Sequence, residues 1–563
     1  TAGRSRSSHQ QNQQRSEAVV TSAGAGKQLN IIATGGSIRS QGAQLSAEGD
    51  ALLFARDHVS LGFALDRQQQ SADSSRSGSA IDNRDWLAPF GTFNDNGQGQ
   101  GMHNKATGSP LSGGGKVVLH TDKGDINLLG STVAAQNQLT LDAGRHINLL
   151  STQSSFSQSE RQVSSGIGSA QISDTEYFSG WMKNRSDHNS HGIEQINSQI
   201  GSLSGNVDIR AAGRYTQQAA DVNAAQDLSI RAAEIEVLAA RNSGGSHQSE
   251  RDVKIGTFAK VSSPLIDLIN AAEGAANSQA DGRVRSLQGM AAAAQAYSAY
   301  NSATTGGALA KVEVGFGFKT ANSSQNQSHS ESQGNSLAAG GNLSLQSTEG
   351  DIRLQHTAAS AGDTLTLDAG RNIVLESGQS RQHSDGKNSS AGLSVGVGAS
   401  VGAQTGLYIY AEAGASKGRH QLDAEHHEHT TLVSDRLILN SGGDTTLKGA
   451  VATAERIDAD IKGKLHIESV QDTLSQQSQQ SGGGIRVQVS LGTAWEASGN
   501  FSQNQGSGEY RSVSRQSGLF AGEGGYHVKA DSVHLKGGAI ASNAAKENNE
   551  LSANDFSPEN IIN

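Results

Sequence analysis

The sequence predicts an all-β fold: a right-handed parallel β-helix (solenoid) with extruded β-hairpins and one helical insertion. Three observations support this prediction. Among 563 residues there are 69 glycines but only 4 prolines, and aromatic residues make up 4% of the chain. A short strand pattern returns at a regular short interval along the chain. Polar segments with alternating centres interrupt that pattern repeatedly.

The composition favours a narrow, turn-rich β-structure. The apolar residues are mainly Leu, Ile, Val and Ala, which stack well in a repetitive interior. A large conventional core usually relies on aromatic rings, which are scarce here. Glycine supplies the positive φ angles that sharp turns need. We therefore expect one repeat array that grows along a single axis.

Charge and cysteine content exclude several classes of function. The net charge is −10, whereas a nucleic-acid-binding protein needs a basic surface. The absence of cysteine excludes disulfides, cysteine-based metal sites and thiol catalysis, and it suits export in an unfolded state. No apolar run approaches the ~18–20 residues that span a bilayer. Residues 1–15 lack the apolar stretch of a signal peptide, so we expect the numbering to begin inside a longer chain.

A long-range duplication is the clearest evidence for a repeat. Gly-Asp-Ile-Asn-Leu at 124–128 recurs as Gly-Asp-Ile-Arg-Leu at 350–354. At the same offset in numbering, Leu-Thr-Leu-Asp-Ala-Gly-Arg-His-Ile at 139–147 recurs as Leu-Thr-Leu-Asp-Ala-Gly-Arg-Asn-Ile at 365–373. Two blocks that share one offset indicate a duplicated unit.

A shorter period lies within each unit. Leu119 is followed by Leu141, and Ile126 is followed by Ile147, at almost the same spacing. The elements alternate apolar and polar residues, as in Val-Asp-Ile-Arg at 207–210, so one side faces inward and the other outward. Such strands, separated by glycine-containing turns, predict the rungs of a parallel β-helix. Stacking at ~4.8 Å then places Leu141 beside Leu119 in an aliphatic ladder.

The rungs and their interruptions divide the chain into seven parts. Each interruption has a Ser/Gln/His-rich run, a Gly/Val alternation and a polar return, which predicts long β-hairpins, with disordered loops as the alternative. The parts are a polar lead-in compatible with disorder at 1–26; rungs at 27–376, interrupted by an aromatic-containing flap at 61–112, a hairpin at 152–203 and a hairpin at 241–337; a hairpin at 377–431; rungs at 432–470; a hairpin at 471–524; a last rung at 525–545; and a linker tail at 546–563.

The interruption at 241–337 contains the predicted helical insertion. Ser263 and Pro264 are typical of a helix N-cap and first helical position. Apolar residues, among them Leu265 and Leu268, follow at helical spacing. The pattern predicts helices within 264–301, which either cover the flank of the rod or contact a partner.

Together these motifs resemble a known family. The Leu-x-Leu-x-Ala-Gly-x-x-Ile-x-Leu rungs, the Gly-Val-Gly-Val-type interruptions and Ser-Pro-Leu-Ile-Asp-Leu at 263–268 are similar to the second haemagglutinin-repeat region of filamentous-haemagglutinin-like, two-partner-secreted proteins. The greatest similarity is to the toxin-delivery proteins of contact-dependent growth inhibition, over about residues 20–545. Two family landmarks are missing, the Asn-Pro-Asn motifs of the secretion domain and a Val-Glu-Asn-Asn boundary, which Glu-Asn-Asn at 547–549 matches only in part.

The resemblance implies a secreted segment at the cell surface of a Gram-negative bacterium. Its expected partners are an outer-membrane two-partner-secretion transporter, contacted through regions outside this fragment, and the target-cell outer membrane or a surface receptor. No nucleic acid and no cofactor is expected. The implied function is to help deliver a C-terminal toxin in interbacterial competition. A passive filamentous adhesin that binds glycans or host cells is the alternative, and a β-helical polysaccharide-degrading enzyme is a more distant one.

Alternating apolar residues in the interruptions are the candidate membrane- or partner-facing positions. Strands that are amphipathic by alternation can lie in or across a bilayer, and glycine between the apolar residues allows strands to approach closely. The candidates are Val395, Val397, Val401, Ile485, Val487 and Val489, together with Leu265 and Leu268 of the helical insertion.

A histidine cluster is the candidate metal site. His426, His427 and His429 lie close together in the sequence, with glutamates between and beside them. On a strand His427 and His429 would share a face, where two imidazoles and a carboxylate can hold zinc or nickel. Solvated histidines on a polar hairpin are the alternative interpretation.

The recurring Asp-Ala-Gly motifs are interpreted as turns. Asp142 and Gly144 have equivalents in Asp368 and Gly370. A recurring aspartate indicates that its side chain bonds nearby backbone N–H groups, whereas a catalytic carboxylate would occur once. The sequence therefore predicts no catalytic residue.

Overall fold

Short parallel strands form a β-helix with three faces. The computed structural model describes residues 2–81, 90–173, 175–262, 308–402, 406–490 and 495–563. The chain passes through face 1, face 2 and face 3 in turn, and each strand pairs in parallel with a strand of the neighbouring rung. Together with the hairpins described below, this confirms the predicted parallel β-helix with extruded hairpins.

The described residues form twelve rungs, one for each strand of face 3. Face 1 contains β2 (Ser22–Ala25), β5 (Gln44–Ala47), β9 (Leu111–Gly113), β12 (Thr132–Ala135), β17 (Ser198–Ser202), β20 (Ala220–Ala224), β25 (Asn335–Ala339), β28 (Thr357–Ala361) and β41 (Ala539–Ser542). Face 2 contains β3 (Leu29–Ala33), β6 (Ala51–Ala55), β10 (Val117–Thr121), β13 (Leu139–Ala143), β18 (Val207–Ala211), β21 (Leu228–Ala232), β26 (Leu343–Ser347), β29 (Thr364–Ala369) and β42 (Glu550–Ser552). Three longer strands contribute to both faces: β33 (Thr430–Ser441), β35 (Ala450–Ile461) and β39 (Gly518–Lys529). Face 3 contains β4 (Ile38–Gln41), the start of β7 (Val59–Ile81), β11 (Ile126–Leu129), β14 (Ile147–Leu150), β19 (Arg214–Gln218), β22 (Glu234–Leu238), β27 (Ile352–Gln355), β30 (Ile373–Glu376), β34 (Thr445–Lys448), β36 (Lys464–Glu468), β40 (Ser532–Lys536) and β43 (Asp555–Glu559).

The interior of the rod consists of aliphatic ladders. Leu119 lies opposite Leu141, and Leu141 lies opposite Ile209 on the following rung. These side chains are buried, and the same inward pattern of Leu, Ile, Val and Ala continues along the rod. Full burial of one such side chain contributes about 1.5–3 kcal/mol. The ladder that the short sequence period predicts is therefore present, and it is the main stabilising element of the rod.

The duplicated Gly-Asp-Ile motifs fasten neighbouring rungs together. Arg145 Nε donates to Asp125 Oδ1 at 2.7 Å, and the next backbone N–H donates to the same oxygen at 3.1 Å. Arg371 and Asp351, their equivalents in the second copy, repeat this arrangement with an Nε–Oδ1 distance of 2.8 Å. The arginine hydrogen bond holds the pKa of each aspartate below its usual value. These two aspartates bond to backbone N–H groups of the following rung, and each belongs to a conspicuous sequence motif.

Asp142 and Asp368 do not act as the turn residues that were expected. Each lies within a face 2 strand with its side chain outward, and each bonds to a side chain on the preceding rung. His120 Nδ1 lies 3.0 Å from Asp142 Oδ2, and Gln346 Nε2 donates to Asp368 Oδ2 at 3.2 Å. The interpretation was wrong because the strand continues past both aspartates, so their side chains meet the neighbouring strand and not the turn.

The paired glycines lie at the turns, where the rungs approach closely. A Cβ atom added at Gly370 would lie 2.8 Å from the carbonyl oxygen of Thr348 on the preceding rung, and one at Gly144 would overlap the carbonyl of Asp122. Glycine is needed at both positions because the backbone of the neighbouring rung occupies the space of a side chain.

A long hairpin leaves the rod after every second rung, from the second to the tenth, at the corner between face 3 and face 1. The five hairpins are β7 with β8 (Phe90–Gly108), β15 (Thr152–Ser173) with β16 (Glu176–Ile196), β23 (Ala240–Ser262) with β24 (Ala308–Gln333), β31 (Gly378–Gly402) with β32 (Gly406–Glu428), and β37 (Asp472–Ser490) with β38 (Trp495–Ser512).

Neighbouring hairpins pair edge to edge and form one antiparallel sheet. β8 pairs with β15, β16 with β23, β24 with β31, and β32 with β37, while β1 (Ala2–Ser16) pairs with β7 at one end. We call these eleven strands the arm sheet. Two rungs advance the rod by the same distance, about 2 × 4.8 Å, as the two strands of a hairpin advance a sheet. One hairpin per two rungs therefore lets the arms pair without a gap.

Several segments differ from the sequence-based division. Residues 1–26 are not a disordered lead-in, because most of them form β1; pairing between backbones needs no apolar pattern. Within 61–112, residues 63–81 pair with residues 90–108 as the first hairpin, so the described part of this segment is not a separate flap. Residues 546–563 are not a linker tail, because β42 and β43 pair with β39 and β40 and complete the twelfth rung. The helices predicted within 264–301 lie outside the described residues and are not confirmed; the one helix among the described residues is a short 3₁₀ turn, Lys546–Asn548.

Candidate functional site

Each hairpin of the central arm sheet begins with a polar stem of constant length. Fifteen residues separate Thr152 from Ile167, Ala240 from Ile255, and Gly378 from Leu393. An extended strand of that length spans about 50 Å. Ser, Gln, Asn, His and Arg side chains dominate both sides of this stem. The stem thus holds the outer part of the sheet well away from the rod.

Beyond the stem, one side of the arm sheet becomes apolar in four cross-strand rows. Residues directly opposite each other in an antiparallel pair share a side of the sheet, so the register defines each row. The first row contains Ile167, Trp181, Ile255, Phe318, Leu393 and Ile485; the second contains Phe316, Val395 and Val487; the third contains Tyr177, Val314, Val397, Ile409 and Val489; the fourth contains Val261, Val312 and Leu407. We call this surface the distal apolar face.

The distal apolar face is exposed and uncharged. Its large side chains are between 38% and 68% exposed. The intervening positions are Ala, Ser, Thr, Gln or Gly, and no charged residue occurs among the described residues of these four rows. A contiguous exposed apolar surface on this scale usually marks a site of interaction with a protein or a membrane.

The height of this face is comparable with the apolar layer of a membrane. Six residues separate the first row from the fourth along each strand, which corresponds to about 20 Å. The apolar band that faces lipid on outer-membrane proteins is about 25 Å tall. The face therefore has the dimensions of a lipid-contacting band as well as its composition.

The opposite side of the outer arm sheet is built from glycine rows covered by aromatic side chains. Gly168, Gly180, Gly256 and Gly317 lie side by side on four successive strands. A Cβ atom at Gly256 would lie 2.6 Å from the Cα atom of Gly180. Phe178 and Phe258 lie in the next row of this side and are buried, with their ring centroids 4.9 Å apart. Glycine and aromatic residues complement each other across strands in this way.

A network of charged side chains on that side joins the last three hairpins, and its central carboxylate, Glu313, is buried. Arg486 pairs with Glu313, and it donates to Glu412 Oε2 at 3.0 Å. The Tyr408 hydroxyl donates to Glu313 Oε1 at 2.7 Å, and the Tyr410 ring lies 4.5 Å from the Arg486 guanidinium. A buried charge such as Glu313 is tolerated only when it is paired and hydrogen-bonded, as it is here. The charged groups of the outer arm sheet therefore lie on the side opposite the distal apolar face.

The structure places the candidate interaction residues as follows. Val395, Val397, Ile485, Val487 and Val489 all lie on the distal apolar face, brought together from two hairpins. Val401 lies at the end of β31, and its side chain is outside the described part of the structure. Leu265 and Leu268 also lie outside the described residues.

The residues predicted from the sequence do not include those that the second and third hairpins contribute to the distal apolar face. Their contributions include Trp181, Ile255 and Phe316. The pattern Val-Glu-Val-Gly-Phe-Gly-Phe at 312–318 alternates as clearly as the segments that were selected, and could have revealed them. Residues 165–169 and 177–181 alternate only over short stretches, so their place on the face depends on strand pairing.

The three histidines do not share one site, because His426 and His427 both lie beside Asp472 whereas His429 contacts the backbone of Arg515. His426 Nδ1 lies 2.9 Å from Asp472 Oδ2, whereas His429 Nε2 lies 3.1 Å from the carbonyl oxygen of Arg515. His427 is nearly buried beside Glu425. Among the described residues there is no group of three or more His, Cys, Asp or Glu side chains arranged to hold a metal ion.

No helix in the described ranges has the length and hydropathy that a membrane-crossing helix requires.

A family model for the hemagglutinin repeat matches residues 2–83, 95–176, 179–306 and 316–483. Each of the first three matches begins within a strand that returns to the rod. It then covers two rungs and ends beyond the next strand that leaves the rod. The repeat unit of the family thus corresponds to one returning arm, two rungs and one outgoing arm.

Curated relatives share this region. The chain is 32% identical to a protein named Toxin CdiA of Yersinia pestis over 79% of its own length and 14% of the relative's. It is 32% identical to Deoxyribonuclease CdiA of Yersinia pseudotuberculosis, over 76% of the chain and 41% of the relative. It is 31% identical to tRNA nuclease CdiA of Escherichia coli, over 79% of the chain and 14% of the relative. The chain therefore spans less than half of each of these proteins. No solved structure matches it.

Proposed function

Because this chain belongs to the hemagglutinin-repeat family, we propose that it is the delivery segment of a secreted, cell-surface exoprotein, and that it contacts the outer membrane of a target cell through the distal apolar face. An outer-membrane transporter would export the protein, with the toxin carried elsewhere in the same polypeptide. The relatives' names describe toxins and nucleases as whole proteins. We assign no catalysis to this segment.

The single observation that carries the proposal is the uncharged apolar surface at the end of a polar stem. Exposure of such a surface to water raises the free energy of the protein, and covering the surface lowers it again. Half-exposed Val, Leu, Ile and Phe side chains contribute about 1 kcal/mol each when their remaining area is buried. Seventeen large side chains share the four rows, so complete coverage is worth on the order of 10 kcal/mol.

A bilayer fits this surface better than a small ligand does. The face is broad and open, and it continues across seven neighbouring strands from β15 to β37. Its apolar side chains point one way while the paired charges around Arg486 lie on the other side. Strands with one apolar and one polar side are suited to the boundary between hydrocarbon and water.

Flotation with vesicles of outer-membrane lipid tests the proposal. We expect the full chain to float with the vesicles, and the variant Val395→Asp/Val397→Asp/Val487→Asp to lose at least ~10-fold in bound fraction, because three charged carboxylates would enter the apolar layer, where each is destabilising. The control variant is Ile32→Asp/Leu203→Asp/Val433→Asp, whose positions are comparably exposed but lie on the rod.

The proposal fails if the unaltered chain does not bind these vesicles, or if both triple variants bind as it does. Specific binding on a glycan array without any membrane association would instead favour the passive adhesin.

A further inference from the structure

Among the described residues, the arm sheet has one strand fewer than the rod has rungs. Along the rod, each rung is accompanied by one strand of the arm sheet, beginning with β1 beside the first rung. The described residues form twelve rungs but eleven arm strands, and the position beside the twelfth rung has none. That position adjoins β38, which pairs only with β37 among the described strands.

A recurrent hydrogen bond marks where each outgoing arm meets the preceding returning strand. A backbone N–H near the rod end of the returning strand donates to a side-chain oxygen at the start of the outgoing arm. The five junctions with an outgoing arm are Ala18 to Asp66, Ala106 to Ser154, Gln195 to Asn242, Ser332 to Ser380, and His427 to Asp472, with distances of 2.7–3.0 Å.

A sixth bond of the same kind involves Asn563. The Val513 N–H, just after β38, donates to Asn563 Oδ1 at 3.1 Å. The residue separation is 50, close to the 45–48 of the other junctions. Asn563 therefore occupies the place that Asp472 has at the start of β37. Its side chain lies beside the rod end of β38, where the next outgoing strand would begin.

The edge of β38 also lacks the features that discourage strand addition. Exposed edge strands are usually short, bulged, or interrupted by proline or lysine. β38 is 18 residues long, contains no proline or lysine, and pairs with β37 in unbroken register. We define the open edge as the side of residues 497–509 that faces away from β37.

We propose that this open edge accepts one extended strand that is joined to Asn563 and runs antiparallel to β38. The five internal junctions define one register between a returning strand and the next outgoing strand. The equivalence of Asp472 and Asn563 transfers this register to β38. A second copy of this chain fits less well. End-to-end stacking would place its β1, a returning strand, parallel to β38 in a sheet that is otherwise antiparallel. Strand addition at this edge is independent of membrane binding by the distal apolar face.

Hydrogen exchange of an extended variant tests this inference. Residues 473–490, which follow Asp472, are copied directly after Asn563 in the full chain. We expect the amides of residues 497–509 that point to the open edge to exchange at least ~10-fold more slowly than in the unextended chain, since each gains a carbonyl partner. The matched control carries proline at the places copied from Gln476, Ser478 and Gln480, because proline cannot donate to a ladder.

Three results would overturn the inference. Equal exchange of residues 497–509 in the extended variant and the proline control would show that no strand has been added. Equal protection by the free peptide 473–490 would show that attachment to Asn563 is unnecessary. Slow exchange in the unextended chain, together with a dimer in analytical ultracentrifugation, would identify a second copy as the occupant. Protection of residues 139–143 in every variant verifies that the rod is folded.

Discussion

The rod and the arm sheet use the same backbone hydrogen bonds but obtain stability from different sources. In the rod, three faces enclose aliphatic ladders whose members, such as Leu141, are buried. In the arm sheet a single layer projects from the rod, its stem is polar on both sides, and its largest apolar surface is exposed. Stability is concentrated in the rod, whereas the surface available for interaction is concentrated in the outer arms.

The comparison shows how a repeat protein can carry an apolar surface that does not contribute to its own core. Because the rod folds around its ladders, the arms need only to pair with one another. Their pairing is supported by the spacing of the rungs and by the junction hydrogen bonds, such as Ser154 with Ala106. Side chains on the distal apolar face can therefore vary without loss of the fold.

Truncation of a ladder residue in the rod should reduce the free energy of unfolding more than any other change considered below. Leu141→Ala removes a buried side chain between Leu119 and Ile209, so we expect a loss of about 2–5 kcal/mol in the free energy of unfolding. Val397→Ala, on the distal apolar face, should change it by less than about 0.5 kcal/mol. Urea unfolding followed by circular dichroism measures both. Similar losses in the two variants would contradict the distinction between rod and arms.

A single added methyl group should destabilise the arm sheet without affecting the rod. Gly256→Ala would place a Cβ 2.6 Å from Gly180, so we expect local destabilisation of about 1–3 kcal/mol, seen as faster amide exchange in β16, β23 and β24. Gly168→Ala is the matched control, because a Cβ at this position of the same row would meet nothing within 4 Å. Exchange in the rod should not change. Equal effects of the two substitutions would argue against close packing of the glycine rows.

The smallest effect should come from the ion pair between rungs. The Arg145 hydrogen bond lowers the pKa of Asp125, so the bond stabilises the fold above the unfolded-state pKa of about 3.9 and is lost as pH falls through the lower folded-state value. We expect Asp125→Asn to cost about 1 kcal/mol at pH 7, and the difference from the unaltered protein to shrink below about pH 4. Asp351→Asn should behave in the same way. A difference that does not depend on pH would show that the charge is unimportant. Urea unfolding at several pH values measures it.

Much of the fold could be predicted because its signals are local. The alternation at 207–210 defines a strand and its inward side, and the spacing of Leu119 and Leu141 defines which rungs stack. The glycines at 144 and 370 were identified because they recur. Asp142 and Asp368 were misread since recurrence shows that a residue is structural but not which partner it has. His120 and Gln346 lie one rung earlier, and only the stacked rungs bring them into contact.

The candidate site was predicted in part for the same reason. Val395 and Ile485 belong to clearly alternating segments, whereas the polar stem gives no apolar signal for pairing. Ser, Gln and Asn are common in loops, so the sequence of such stretches is also compatible with disorder. β1 and the stems are held in place by backbone hydrogen bonds to neighbouring arm strands. They lack the apolar alternation from which a strand can be predicted.

The rung, its inward ladder and the presence of hairpins follow from local patterns, because each depends on residues within one strand or within one turn of the repeat. The joining of the hairpins in one arm sheet, and the single surface formed by apolar residues from four of them, follow instead from the folded arrangement, because these residues are far apart in the sequence. The arms pair because two rungs and two strands advance by the same length, a match that exists in space between backbones and leaves no trace in the choice of side chains.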